Sequence, residues 1–190
     1  MARVKRAAIA LVVLLIAATA FLKTRGNGGG DTPPEVPKLF SGEWSAATFH
    51  DVLVPLPIEF DRKENAGEHQ VVFYGPEELK TPSIQVHRRP VPKNATTTAA
   101  WHKWQRDKWD SPDPDRSKVL EEGSDTIAGR PCKFFTYRVK HRGAYYLFLQ
   151  WNFVKDGIAY WVRGQADEVL FVNGFREVLH EVKRGVQLTH

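Results

Sequence analysis

Three long runs of aromatic and β-branched residues follow one another almost without interruption: CKFFTYRVKH (132–141), AYYLFLQWNFVKD (144–156) and IAYWVRGQA (158–166). Only Arg142-Gly143 and Asp156-Gly157 stand at their junctions. A two-residue loop ending in glycine between such runs is a strong hairpin signal, and no crossover helix fits in two residues. The runs are therefore consecutive antiparallel strands. A long antiparallel meander must cover at least one apolar face, and the remaining segments supply the cover.

Further strands are expected at FHDVLVP (49–55), HQVVFYG (69–75), SIQVHRR (83–89) and KVLEEGSDTIAG (118–129). Pro55 and Pro57 place the first at a strand end or a sheet edge. Between these segments, residues 95–109 read as a helix, with Asn94 or a following threonine as N-cap and SPDPD as its stop. Near the C-terminus Val169, Val172, Phe175, Val178, Leu179 and Val182 recur at three- and four-residue spacing, which predicts a second helix. The expectation is an α+β domain over residues 47–190, with an antiparallel sheet of about six strands packed with two main helices.

The N-terminus has a different composition. Residues 7–22, AAIALVVLLIAATAFL, carry no charge; Arg3, Lys5 and Arg6 precede them, and Lys23 and Arg25 follow. A spanning helix takes roughly 17–25 apolar residues. The stems of the flanking lysines and arginines extend this one to that length. Residues 1–25 are thus expected to form a hydrophobic membrane-anchor helix, with a signal peptide cleaved after Ala20 as the alternative. The basic excess on the N-terminal side places the domain outside the cytoplasm, or secreted or periplasmic after cleavage. No cysteine closes the apolar run, so a lipoprotein anchor is excluded. Residues 26–46, rich in glycine and proline, read as a linker.

Charge excludes one function class. The formal charge of +5 equals the five bases of residues 1–30, which hold no acid, so residues 31–190 are balanced. The folded part lacks the global basic footprint of a nucleic-acid binder. Cys132 is the only cysteine, so no intramolecular disulfide forms; it sits in an apolar run and reads as a buried small hydrophobe.

Candidate sites are few. Trp101, Trp104 and Trp109 fall within about 140° of a helical wheel, the arrangement that packs a helix on a sheet. Interleaved with Lys103, Arg106 and Lys108, they also make a candidate contact surface for a partner or membrane. His87, Arg88 and Arg89 form a candidate anion patch at a strand end, with Arg130 or Lys133 as possible additions. Asp110, Asp113 and Asp115 are an acidic turn without the spacing, glycine or terminal glutamate of a calcium loop. Glu177, His180 and Glu181 occupy one helix without the second motif of a di-metal bundle. No metal ligands or cofactors are expected. Asn94-Ala95-Thr96 matches a glycosylation acceptor.

Val54-Pro55-Leu56-Pro57-Ile58-Glu59-Phe60, then Ile127-Ala128-Gly129-Arg130-Pro131, then Gly157-Ile158-Ala159-Tyr160 leading to Phe175, give the chain an order that resembles the PsbP/Mog1-like fold. The resemblance spans roughly residues 47–184. It implies an accessory or binding domain without a shared catalytic site, and it assigns no residue a role. The expected function is a membrane-tethered extracytoplasmic domain, non-enzymatic, that binds an envelope protein or a ligand and no nucleic acid. The alternatives are an envelope enzyme with a non-local site at His87, Asp113 or His180, and a membrane-surface module using the tryptophan helix.

Overall fold

The computed structural model describes residues 40–79, 82–113 and 116–189. The expected N-terminal helix lies outside them, and none of the described helices is long and apolar enough to cross a membrane. Among the described residues ten antiparallel strands form two sheets, in place of one sheet of about six. The first half contributes β1 (Trp44–Phe49), β2 (Val52–Pro57), β3 (Arg62–Asn65), β4 (Gln70–Tyr74), β5 (Ser83–Pro90) and helix α1 (Thr98–Trp109). The second half contributes β6 (Ser117–Ile127), β7 (Arg130–His141), β8 (Ala144–Lys155), β9 (Ile158–Asp167), helix α2 (Arg176–Gly185) and β10 (Gln187–Leu188). The large sheet runs β3-β4-β5-β9-β8-β7-β6, and the small one β1-β2-β10.

The turn chemistry explains the meander. Ala128-Gly129, Arg142-Gly143 and Asp156-Gly157 all have positive φ at both positions, the geometry that matches strand twist in two-residue hairpins. The segment 49–55 differs from its expected single strand, because His50 (φ 54°) turns the chain between β1 and β2. Folded structure also starts before residue 47: β1 begins at Trp44, and Phe40 packs on Phe60 with ring centroids 5.5 Å apart. Pro55 lies inside β2 and Pro57 is its last residue. The Ile58 N–H donates to the Glu43 carbonyl, so by alternation the prolines fall at positions whose N–H faces away from β1. β10 pairs only with Val52 and Leu53, which leaves that side of β2 an edge at both prolines.

The large sheet has a different partner on each face. Leu147, Leu149, Trp151 and Phe153 of β8 and Tyr160, Val162 and Ala166 of β9 point into the main core, with Phe175, Leu179 and Val182 from the α2 side. Trp161 and Ala159 point the other way, toward Trp101 of α1. Cys132 is buried in the main core, and its thiol is pushed up to about 12, chiefly by that burial. The second helix departs from the sequence pattern. Asn173 and Gly174 (φ 126°) break it ahead of α2, so Val169 and Val172 are exposed while Leu170 and Phe171 are buried. The approach of α2 requires glycine. A Cβ on Gly164 would land inside the Leu179 side chain, and one on Gly185 would meet Pro55 Cγ at 2.7 Å.

Two partly buried ion pairs are among those that tie the layers. Lys183 of α2 donates to both oxygens of Asp125 in β6 at 2.9 Å, and Trp151 Nε1 donates to the same carboxylate at 3.2 Å. Arg88 Nε and the Tyr160 hydroxyl each donate to Asp51 at 2.7 Å. Burial works against ionising either carboxylate, yet the donors outweigh it and hold both below the usual range. Overpacking at the α2–β9 contact is expected to show directly: Gly164→Ala destabilises by about 1–3 kcal/mol in urea unfolding, and the double variant with Leu179→Ala loses less than the sum of the two single losses. Equal additive losses in the double variant would contradict the contact.

Candidate ligand groove beside the tryptophan helix

Helix α1 begins where Thr97 caps it, its hydroxyl accepting from the Ala100 N–H at 3.2 Å. Thr98 Oγ1 accepts from the Val154 N–H at 3.0 Å and fixes the helix start to β8. Trp101, His102 and Gln105 are buried against the sheet. Trp109, one turn further, stacks on Tyr137 of β7 at 4.8 Å and is partly exposed. Trp104 lies to the side. It stacks on Trp101 at 4.9 Å, and the Lys108 ammonium sits 3.2 Å above its ring. The three tryptophans thus divide: Trp101 is core, Trp104 a half-buried flank, and Trp109 the wall of a groove.

Strand alternation divides the His87-Arg88-Arg89 trio as well. Arg88 points to the main-core side, where Asp51 neutralises it. His87 stacks flat on Trp161 at 4.7 Å, on the α1 face. Both of its ring nitrogens are buried with no hydrogen-bond partner among the described residues. Burial, then the charges of Arg89, His69, Arg163 and Lys108, lower its pKa to about 4. Lys133 belongs to β7, which β9 and β8 separate from β5, and it donates to Ser124. The expected anion patch is therefore not assembled from those residues.

A groove opens instead beyond the C-terminal end of α1, about 420 Å³ in volume, lined by Trp109, Val139, His141, Tyr146, Phe148, Arg163 and Gln165. Arg163 projects from β9. Its guanidinium lies 4.5 Å from the Trp161 ring centroid, 5.6 Å from Phe148 and 5.9 Å from Trp109. Nη1 donates to the Tyr137 hydroxyl at 2.9 Å, Nη2 donates to Gln85 Oε1, and Nε has no partner. Tyr137 is fully buried, and that burial raises its hydroxyl pKa and keeps it neutral. No carboxylate among the described residues lies within ion-pair distance of Arg163.

Of the groove residues, only Trp109 is legible as a candidate in the sequence. The signal that finds Arg163 is its parity with Trp161 in β9, which sets both on the face opposite Val162 and Gly164. A second depression of about 480 Å³ shares Trp109, Val139 and His141 and is bordered by Asp107 and Asp110 and by Lys108, Arg116 and Lys140. Asp115 lies outside the described residues, and no cluster among the described residues is arranged to hold a metal. His180 meets Trp151 edge-on in the main core layer, so the sheet separates it from His87. Glu181 pairs with Arg184.

His87 gives the domain a specific pH response. Its folded pKa of about 4 lies below the 6.5 of a free histidine. The unfolded chain therefore takes up a proton through the range in which the folded one refuses it. This contribution is complete above about pH 6.5 and is lost as pH falls toward 4. The urea midpoint of wild type is expected to fall more between pH 7 and pH 4.5 than that of His87→Phe, which keeps the stack on Trp161. Equal falls would refute it.

No protein-family model and no curated protein matches the sequence. Solved structures do match. The cyanobacterial PsbP (CyanoP) of Synechocystis sp. PCC 6803 superposes with a TM-score of 0.59 at 11% identity, over 87% of this chain and 99% of that one. The Saccharomyces cerevisiae Ran-binding protein Mog1p superposes with a TM-score of 0.54 at 9% identity, over 77% of this chain and 95% of that one. At such identities the likeness is one of backbone arrangement. With its antiparallel sheets and two main helices, the chain has the PsbP/Mog1-like fold.

Proposed function

We propose that this chain is a membrane-tethered, extracytoplasmic accessory domain that binds a ligand or a protein without catalysis. The observation that carries binding is the groove: a concave, largely aromatic surface at the end of α1, within the size range of small-molecule sites. Its walls come from four regular elements, α1, β7, β8 and β9, so its shape is set before a ligand arrives. Support for the tether comes from the charge-free stretch at 7–22 between basic flanks, followed by a linker rich in glycine and proline. Support for a non-catalytic role comes from the groups a reaction would use. The Cys132 thiol is buried with its pKa at about 12, and His87 and His180 sit on opposite faces of the sheet. Mog1p is a Ran-binding protein of the same fold, which agrees with binding as the task of this one.

The full chain in lipid nanodiscs tests both parts. Dialysed against 2-naphthamide, with empty nanodiscs as the blank, it is expected to bind the probe saturably. Val139→Trp, which fills the groove, should weaken binding by tenfold or more while the fold is retained. The chain should also stay with the lipid through an alkaline carbonate wash. Unsaturable uptake equal in wild type and variant contradicts the groove, and release by carbonate contradicts the tether.

A further inference from the structure

We propose that the groove selects a small amphiphilic carboxylate, with the anionic end on Arg163 and the apolar body among Trp109, Tyr146, Phe148 and Val139. This rests on the reading of the groove as a binding site and adds the chemical class of its occupant.

Arg163 differs from Arg88 and Lys183 on the main-core side. Arg88 has Asp51 at 2.7 Å and Lys183 has Asp125 at 2.9 Å. Arg163 is half-buried and has only neutral acceptors: the Tyr137 hydroxyl and the Gln85 amide oxygen. A guanidinium stays charged in proteins, so a charge taken partly out of water here has no counter-charge from the described chain. Three aromatic faces around it offset part of that cost by cation–π attraction. Its Nε–H is buried with no acceptor among the described residues, and each Nη uses only one of its two N–H groups there, which leaves donors for an incoming acceptor. The groove beside it supplies room for the molecule that carries one.

The number of charges fixes the class. Among the described residues, Arg163 is the only lysine or arginine lining the groove. Arg89 and Lys108, the neighbouring bases that act on His87, are not among the lining residues. One guanidinium among aromatic walls matches one negative charge, and a phosphate dianion would keep a charge unpaired in the same apolar surroundings. The lining residues Trp109, Val139, Tyr146 and Phe148 require an apolar body behind the carboxylate. In this setting a charge-assisted hydrogen bond is stronger than in water, and the weak hydration of a guanidinium lowers the cost of forming it.

Equilibrium dialysis of the full chain in zwitterionic nanodiscs, with empty nanodiscs as the blank, compares 2-naphthoate with its neutral isostere 2-naphthamide. Wild type is expected to prefer 2-naphthoate by tenfold or more. Arg163→Gln, which still offers a donor to Tyr137, should abolish the preference, so that 2-naphthoate binds no more tightly than 2-naphthamide. Arg163→Lys should retain part of the preference, and Arg89→Gln and Lys108→Gln should retain all of it. Equal affinity of wild type for both probes overturns the carboxylate class while leaving the groove as a site. Saturable binding of neither probe overturns the groove itself. A preference that survives Arg163→Gln, or disappears with Arg89→Gln or Lys108→Gln, overturns the assignment to Arg163.

Discussion

Strand β9 lies between β5 and β8, and its pleat sends Tyr160, Val162, Gly164 and Ala166 to one face of the large sheet and Trp161, Arg163 and Gln165 to the other. The two faces carry different tasks. On the first, the absence of a side chain at Gly164 lets Leu179 of α2 close on the strand and seal the main core. On the second, the next residue back along the chain places a guanidinium under the end of α1. The register that buries Val162 also commits Arg163 to the groove. A one-residue slip would exchange the faces and bury the charge in the core, so the hydrophobic pattern enforces the position of Arg163.

The electrostatics follow the same division. On the main-core side, Arg88 and Lys183 are matched by Asp51 and Asp125. Each of these pairs is half-buried and accepts a further hydrogen bond, from Tyr160 or Trp151. On the α1 side, the cations around His87 have aromatic rings and neutral acceptors close by: Lys108 lies over Trp104, and Arg163 over Trp161. His87 answers by staying neutral. A face that holds positive charge at a cost to stability, and offers an open aromatic groove beside it, has the composition of a recognition surface.

Much of this architecture is legible in the sequence. The meander from residue 130 to 167 follows from three long strands and two turns ending in glycine, and the start of α1 from its threonines. The β1–β2 hairpin is not legible, because it turns at His50 with no glycine or Asn-Gly to mark it. β3, Arg-Lys-Glu-Asn, is exposed at every position and has no alternation to read. The break at Asn173-Gly174 shifts the helical stripe and turns Val169 and Val172 outward. The groove stays hidden for a further reason. Arg163, Trp109 and Tyr137 meet only through pairings between distant segments, and a lone arginine within an apolar strand carries no local mark of what surrounds it. The His87-Arg88-Arg89 cluster, conspicuous in one dimension, is divided by the pleat.

Selection of a carboxylate depends on the guanidinium of Arg163 being held among aromatic rings with no carboxylate of the described residues beside it. The side-chain Nε–Hε resonance of Arg163, observed by nitrogen-15 NMR with labelled arginine and assigned by its loss in Arg163→Gln, reports this directly. The expected signal is protected from solvent exchange, displaced upfield by the rings, and shifted further as 2-naphthoate is added. A rapidly exchanging signal at the position of a free arginine, unmoved by 2-naphthoate, would contradict it.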